Sequence, residues 1–227
     1  MAAGEGIHLR PLTERWAKPV LPIDGRAVVA VLFRQLAAAG CGRVWLVTGY
    51  LAEQVERLAG DGSAFGVDIR FVRQPFVLGS ADAVQRALDA GAEPPLLVSA
   101  ADTVFRAGDV GRFTDAFAHS GAAGAVAIRT EPGPGPSRPA VRRRDGRITN
   151  MRDDDPANTW SAAPLWGLGS SVAELLCRDR PPFELANAYE AAIDGGELVI
   201  AVEIGKTRDL TDPVDLVEEN FPYLRSI

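Results

Sequence analysis

The feature that most constrains this chain is an orderly alternation of helix and strand signals along its 227 residues. Ala27 to Ala39 is apolar at helical spacing and stops at Gly40, and Arg43 to Thr48 reads as a buried strand. Leu51 to Ala59 predicts a second helix, Asp68 to Val72 a second strand, and Ser80 to Ala90 a third helix with Ser80 as its expected cap. Leu96 to Ser99 is the next strand, followed by a helix over Asp109 to His119 and a strand over Ala123 to Arg129. Later, Glu184 to Asp194 predicts a helix ending at Gly195-Gly196, Leu198 to Glu203 a strand, and Pro213 a helix start capped by Asp212. Such alternation specifies an α/β chain with a three-layer, mostly parallel sheet, and ligands of such sheets gather at the carboxyl ends of the strands.

Length supports one well-buried domain over residues 1–227, without a second independent core. Glu131 to Pro139 holds four prolines and two glycines, so it reads as the loop joining a half of about residues 1–130 to a half of about residues 140–227. A net charge of −6 and a pI near 5.0 argue against a general nucleic-acid binder. Cys41 and Cys177 are too few and too far apart for a disulfide framework or a zinc site, which fits a reducing cytoplasm. No signal-peptide pattern opens the sequence, and the longest clean apolar run, Ala27 to Phe33, is too short to cross a bilayer.

The chemistry is expected first at Ala2-Ala3-Gly4-Glu5-Gly6-Ile7-His8-Leu9-Arg10-Pro11-Leu12-Thr13, followed by Lys18-Pro19-Val20-Leu21-Pro22. Two close glycines let the backbone bend and turn its N–H groups toward an anion such as a phosphate chain, and Lys18 adds a mobile positive charge. This run resembles the signature of the sugar-1-phosphate nucleotidylyltransferases, roughly GGxGTRLxPLT followed by a PKPLLPI-like segment. A dinucleotide-binding fold would need a third glycine where Leu9 stands, and a Walker loop would need Gly-Lys-Ser/Thr, which does not occur. The resemblance implies a Rossmann-type, GT-A-like nucleotidyltransferase sheet, with Ala3, Gly4, Gly6 and Lys18 at the phosphates. In that family a buried strand precedes the loop. Met1 stands where that strand would end, so the first strand is expected to be missing here and about five to eight further apolar residues to precede it.

Further segments extend the resemblance. Gln74-Pro75-Phe76-Val77-Leu78-Gly79-Ser80-Ala81 is similar to the family's Q-P/A-x-x-L-G-T-A, which implies Gln74, Gly79 and Ser80 beside the nucleotide base. An ordinary strand-to-helix turn capped by Ser80 is the other reading. Asp102, just past the strand Leu96 to Ser99, matches the aspartate of the family's LxxGD segment and thereby implies a magnesium ligand; alternatively it caps the helix near Asp109. Gly205 to Leu216 is similar to W-x-D-I-G-T-P-E-D-L, which places Asp209 on a second magnesium-binding aspartate, with Asp212 and Asp215 as helix-start residues. Ile148 to Asp155 loosely matches I-x-x-I-x-E-K-P, with Asp153 at the sugar-holding glutamate, Asp154 at the lysine and Ser161 at a downstream asparagine; a solvated acidic loop is the other reading. Arg142-Arg143-Arg144 reads as a solvated strand face or the border of a phosphate site, and His119 belongs on a wet helix face.

Two carboxylates beside a triphosphate repel it, by about 4 kcal/mol for a like-charge pair 4 Å apart at an effective dielectric of 20, so the set requires a divalent cation. The implied reaction is in-line attack of an acceptor phosphate oxygen on the α-phosphorus of a nucleoside triphosphate, with loss of pyrophosphate. UTP or dTTP is favoured, because Gln74 offers one donor and one acceptor to a base edge. Ile7 and His8 replace the family's threonine and arginine. A free imidazole is only about one-quarter charged at pH 7, so turnover is expected to be slow and to fall above neutrality, with Arg10 or Arg15 as candidate substitutes. The alternatives are a non-catalytic nucleotide-sugar-binding regulatory protein, or a cytidylyltransferase or guanylyltransferase acting on another phosphorylated alcohol.

Overall fold

A computed structural model describes residues 1–135, 138–177 and 180–221. After a run of short 3-10 turns, a two-residue hairpin, β1 (Pro22–Ile23) and β2 (Arg26–Ala27), leads into α1 (Val28–Ala38). There follow β3 (Arg43–Thr48), α2 (Ala52–Ala59), β4 (Asp68–Arg73), α3 (Ser80–Asp89), β5 (Leu96–Ser99) and β6 (Thr103–Val104). Next come α4 (Asp109–Ser120), β7 (Gly124–Arg129), β8 (Arg142–Arg144), β9 (Arg147–Asn150), β10 (Ser161–Leu168) and α5 (Ser170–Ala173). The chain finishes with α6 (Leu185–Asp194), β11 (Val199–Glu203), β12 (Arg208–Asp209) and α7 (Pro213–Asn220). The protein is α/β, and the elements expected from periodicity form within one or two residues of their expected ends. No described helix is long and apolar enough to cross a membrane.

The residues gather into two compact units that interleave in sequence. One comprises Met1–Val77, Ala100–Phe105 and the chain from Arg208 on, described to Phe221; the other comprises Leu78–Ser99 and Arg106–Thr207. The division therefore does not fall at the proline-rich loop. It follows two short returns of the chain, because Arg208 and Asp209 pair with Val104 and Thr103.

In the first unit β3 and β4 run parallel from Arg43↔Asp68 to Thr48↔Arg73. Met1 to Ala3 supply ladder bonds beside them: Ala2 bridges Thr48 in parallel, and its N–H donates to the Val47 carbonyl at 2.7 Å. The Ala101 N–H donates to the Met1 carbonyl at 2.8 Å and the Tyr50 N–H to the Ala3 carbonyl at 3.1 Å. These three residues thus take up part of the pairing expected of the family's first strand. An apolar cluster of Leu9, Leu21, Ile23, Val28 and Leu210, with Val104 and Leu216 packed against it, forms a core under this unit.

The second unit carries a six-stranded sheet in the order β5-β10-β7-β11-β9-β8. All six residues of β7 are buried, as a strand flanked on both edges and covered on both faces requires. β7 and β11 are parallel, joined through a connection that includes α6, whereas β10 runs antiparallel to both β5 and β7. β8 and β9 follow one another without an intervening helix and pair antiparallel, and β9 is antiparallel to β11 as well. The sheet is consequently mixed.

Two expectations about caps are corrected. Ser80 is the first helical residue of α3, which has no side-chain cap; its hydroxyl serves α6 instead. The residue preceding α4 is Gly108, and Asp102 is engaged elsewhere. Asp212 does cap α7 as expected, accepting from the Val214 N–H in a capping box completed by Asp215.

Candidate active site

In the first unit the glycine run forms a tight bend. Gly6 adopts φ 63° and ψ 42°, a left-handed conformation costly for other residues, and opens the 3-10 turn Ile7–Leu9. A Cβ on Gly6 would lie 3.0 Å from Thr13 Cγ2 and 3.3 Å from Lys18 Cβ, so the bend packs directly on the two residues that follow it. The fully buried Thr13 hydroxyl donates to the Gly6 carbonyl at 2.8 Å and locks the bend shut. Gly4 is exposed with open space around its Cα, and Ala3 is buried. His8 is exposed. Arg10 is paired with Glu5 at 3.1 Å.

Lys18 reaches from this bend to Asp102, Nζ to Oδ2 2.5 Å, with both side chains mostly covered. Asp102 immediately precedes β6, and the β6–β12 ladder sets Asp209 opposite Thr103, so Asp102 stands diagonally across from Asp209 on the neighbouring strand. The two acids expected to act together are therefore neighbours in the fold although 107 positions separate them in sequence. One apolar cluster fixes all of them: Leu9 follows His8, Leu21 lies three residues past Lys18, Val104 two past Asp102, and Leu210 follows Asp209. Burial of each such side chain contributes about 1.5–3 kcal/mol, so the charged groups rest on a floor that cannot shift piecemeal.

Gln74 also belongs to this unit. Its N–H donates to the Thr48 carbonyl at 2.8 Å and the residue is only 4% exposed, so it closes the end of the parallel pair.

Gly79 and Ser80 lie in the second unit, where the Leu78–Ala81 segment is strapped to residues 183–185. The Phe183 N–H donates to the Leu78 carbonyl and the Ala81 N–H to the Phe183 carbonyl, both at 2.7 Å. Gly79 has φ 111°, and a Cβ there would lie 2.3 Å from the Phe183 carbonyl oxygen. Glycine is required at this position by a close approach within the protein itself. The Ser80 hydroxyl donates to Glu184 Oε2 at 2.5 Å and accepts from the Leu185 N–H at 2.9 Å.

Asp153 also belongs to the second unit. Its carboxylate accepts from Arg142 Nη2 at 2.5 Å and from Asn158 Nδ2 at 2.7 Å, and its side chain is 4% exposed. The hydrogen bond from the Arg142 guanidinium holds its carboxyl below the usual carboxylate range. It borders a cleft of about 420 Å³ whose charged lining is Arg138, Arg152, Asp153, Asp154 and Asp155. Of the arginine run, Arg142 is thus tied to Asp153 and Arg143 stacks over the Trp160 ring at 4.2 Å, leaving Arg144 exposed.

Several contributors escaped sequence reasoning. Thr13 looked like part of a motif rather than a clamp. Gln35 donates to the Phe105 carbonyl at 2.6 Å and accepts from its N–H at 3.2 Å, pinning the chain just past β6. Gln54 binds the arm that carries Lys18 in a similar way. The one available signal was a glutamine on each of two otherwise amphipathic helices.

Comparison with known proteins bears on the family and the fold. The chain is similar to the low-salt glycan biosynthesis nucleotidyltransferase of Haloferax volcanii, 23% identical over 228 residues covering 97% of this chain and 64% of that protein. It is likewise similar to a glucose-1-phosphate thymidylyltransferase of Streptomyces griseus, 26% identical over 97% of this chain and 64% of the relative. The chain thus spans slightly less than two thirds of either relative. Its fold is that of the inositol-1-phosphate CTP transferase of T. maritima, with a TM-score of 0.79 at 19% identity, covering 94% of this chain and 88% of that one. A family model described as nucleotidyl transferase matches residues 1–139. On that match, which takes in the glycine bend, Lys18 and Asp102, the chain belongs to the nucleotidyl transferase family.

Proposed function

We propose that this protein transfers a nucleotidyl group from a nucleoside triphosphate, UTP or dTTP by preference, to a sugar 1-phosphate with release of pyrophosphate. The observation that carries the reading is the Lys18 ammonium 2.5 Å from Asp102, with Asp209 on the adjacent strand and the glycine bend packed on the stem of Lys18. The similar proteins act on different nucleotides and acceptors by name, a thymidylyl donor in one and CTP in another, so the family supports the reaction class and the base choice rests on the amide of Gln74.

The donor set fits a magnesium ion. Asp102 and Asp209 offer only hard oxygen ligands, and Asp102 already accepts a cationic partner in the Lys18 ammonium. When bound there, Mg2+ would neutralise the charge of the triphosphate. The chain's own residues supply the rest. Backbone N–H groups from Ala3 to Gly6 and the Lys18 ammonium hold the phosphates in line, with the exposed His8 on the side of the leaving pyrophosphate. The acceptor oxygen forms a bond to the α-phosphorus as the bond to the bridging oxygen breaks, and no protein nucleophile is needed. In the second unit, Asp153 braces the wall of a cleft bordered by Arg138 and Arg152. The cytoplasm is the compartment that supplies such substrates.

The test is a pyrophosphate-release assay across ATP, CTP, GTP, UTP and dTTP with a panel of sugar 1-phosphates and phosphoalcohols, with and without Mg2+. Release with a pyrimidine triphosphate and a sugar 1-phosphate, abolished by Asp102→Asn, is expected. Binding of nucleotide sugars with no release under any combination would instead assign a regulatory role. His8→Arg is expected to raise the rate above neutral pH.

A further inference from the structure

We infer that Gln54 is the positioning residue for Lys18. From the first turn of α2, its side-chain carboxamide meets the arm ahead of Lys18 much as a neighbouring strand would. Oε1 accepts the Ala17 N–H at 2.8 Å, and Nε2 donates to the Arg15 carbonyl at 2.7 Å. One group thereby satisfies a donor and an acceptor two residues apart on the same edge of the chain. Among the side chains of this reach, the glutamine amide alone does both: glutamate lacks the donor, lysine lacks the acceptor, and asparagine is a methylene too short.

Between these two bonds the Trp16 N–H donates to the Leu12 carbonyl at 3.1 Å, a bond within the arm itself that does not tie it to α2. Trp16 projects outward at 55% exposure, so its indole does not anchor the backbone. Ala17 is buried but carries only a methyl group, and Lys18 follows it directly at the start of a 3-10 turn that continues into Pro19. Pro19 has a fixed φ, so the backbone at Lys18 is set from one side by Gln54 and from the other by the proline ring. What remains free is the lysine side chain, which runs beneath Gly6 to Asp102. Loss of the Gln54 amide would let the arm drift outward with Trp16 and draw the ammonium away from Asp102. A displacement near 1 Å in a positioning element can cost about a hundredfold in rate.

The chain holds two lysines, Lys18 and the exposed Lys206, which allows a test that does not depend on activity. The labelling rate of Lys18 by an amine-acylating reagent, read by mass spectrometry against Lys206, is expected to rise severalfold in Gln54→Met, with the melting temperature nearly unchanged. Gln54→Glu, which keeps the acceptor, should fall between, and Gln54→Asn should not rescue. An unchanged Lys18 to Lys206 ratio in folded Gln54→Met would overturn the assignment; should that variant not fold, the same ratio in Gln54→Glu decides. The kinetic arm rests on the nucleotidyl-transfer reading: Gln54→Met should lower kcat at least about tenfold with KM little altered, and add nothing in a Lys18→Met background. If the protein releases no pyrophosphate at all, that reading fails while the labelling result still judges Gln54.

Discussion

Ser80 and Glu184 secure each other's helices across 104 positions of sequence. The serine hydroxyl caps α6 through the Leu185 N–H, and the glutamate accepts from the Ser80 hydroxyl at the start of α3. Ser80→Ala should therefore destabilise the protein by about 0.5–2 kcal/mol, as loss of a helix cap does. Because the two side chains share one hydrogen bond, Ser80→Ala and Glu184→Gln should fall short of additivity by about 0.5 kcal/mol or more in urea denaturation. Strict additivity would show that the pair does not act as a unit.

Two of the candidate glycines, Gly79 and Gly4, should respond in opposite ways to alanine. At Gly79 the new methyl would strike the Phe183 backbone at a positive φ, and the melting temperature should drop sharply, with a loss of at least about 1–3 kcal/mol. At Gly4 the methyl meets nothing within 4 Å, so stability should hold and any loss should appear in triphosphate affinity. Differential scanning calorimetry with a nucleotide-binding titration separates the two.

The Lys18 ammonium holds the Asp102 carboxylate, so on the proposed reading a divalent cation would have to compete with it there. Lys18→Met should tighten Mn2+ binding severalfold in isothermal titration while lowering turnover, because the uncompensated carboxylate is left to the ion. Weaker Mn2+ binding in the variant would mean that Asp102 does not face the ion. Removal of divalent ions with a chelator should abolish turnover and leave the fold intact.

The Arg142 to Asp153 pair makes a pH-dependent contribution with a definite sign. Asp153 titrates below its ordinary range in the folded protein, so its stabilising effect is present above the normal aspartate pKa, about 3.9, and is lost as pH falls through the lower folded value. Asp153→Asn should thus lower the melting temperature at pH 7, and the gap to the unaltered protein should close in acid. A gap that stays constant to low pH would place the effect in shape rather than charge.

How far the sequence could be read depended on whether each role is local. Strands such as Arg43–Thr48 and Leu96–Ser99 declared themselves by apolar runs, and Asp102 by its place just past one of them. Asp209 was legible only through resemblance, because its partner Thr103 comes from a distant segment. Ser80 misled for the same reason: a serine before a helical run points to the nearest helix, while its hydroxyl reaches one that starts far downstream. The antiparallel pairings of β10 with β5 and β7 join segments far apart in sequence, a constraint that periodicity does not report. Gln54 and Thr13 carry no periodic signature, since a side-chain amide or hydroxyl acquires its role only from the backbone brought beside it.

The β6–β12 ladder has a bearing on how the molecule comes into being. Synthesis runs from the glycine bend toward Asp209, so a growing chain already holds Lys18 and Asp102 while the strand that brings the second acid does not yet exist. Until Leu210 seats against Leu9 and Leu21, the floor of the site is unfinished. On the proposed reading, a nascent polypeptide lacks its second acid until synthesis has passed Asp209.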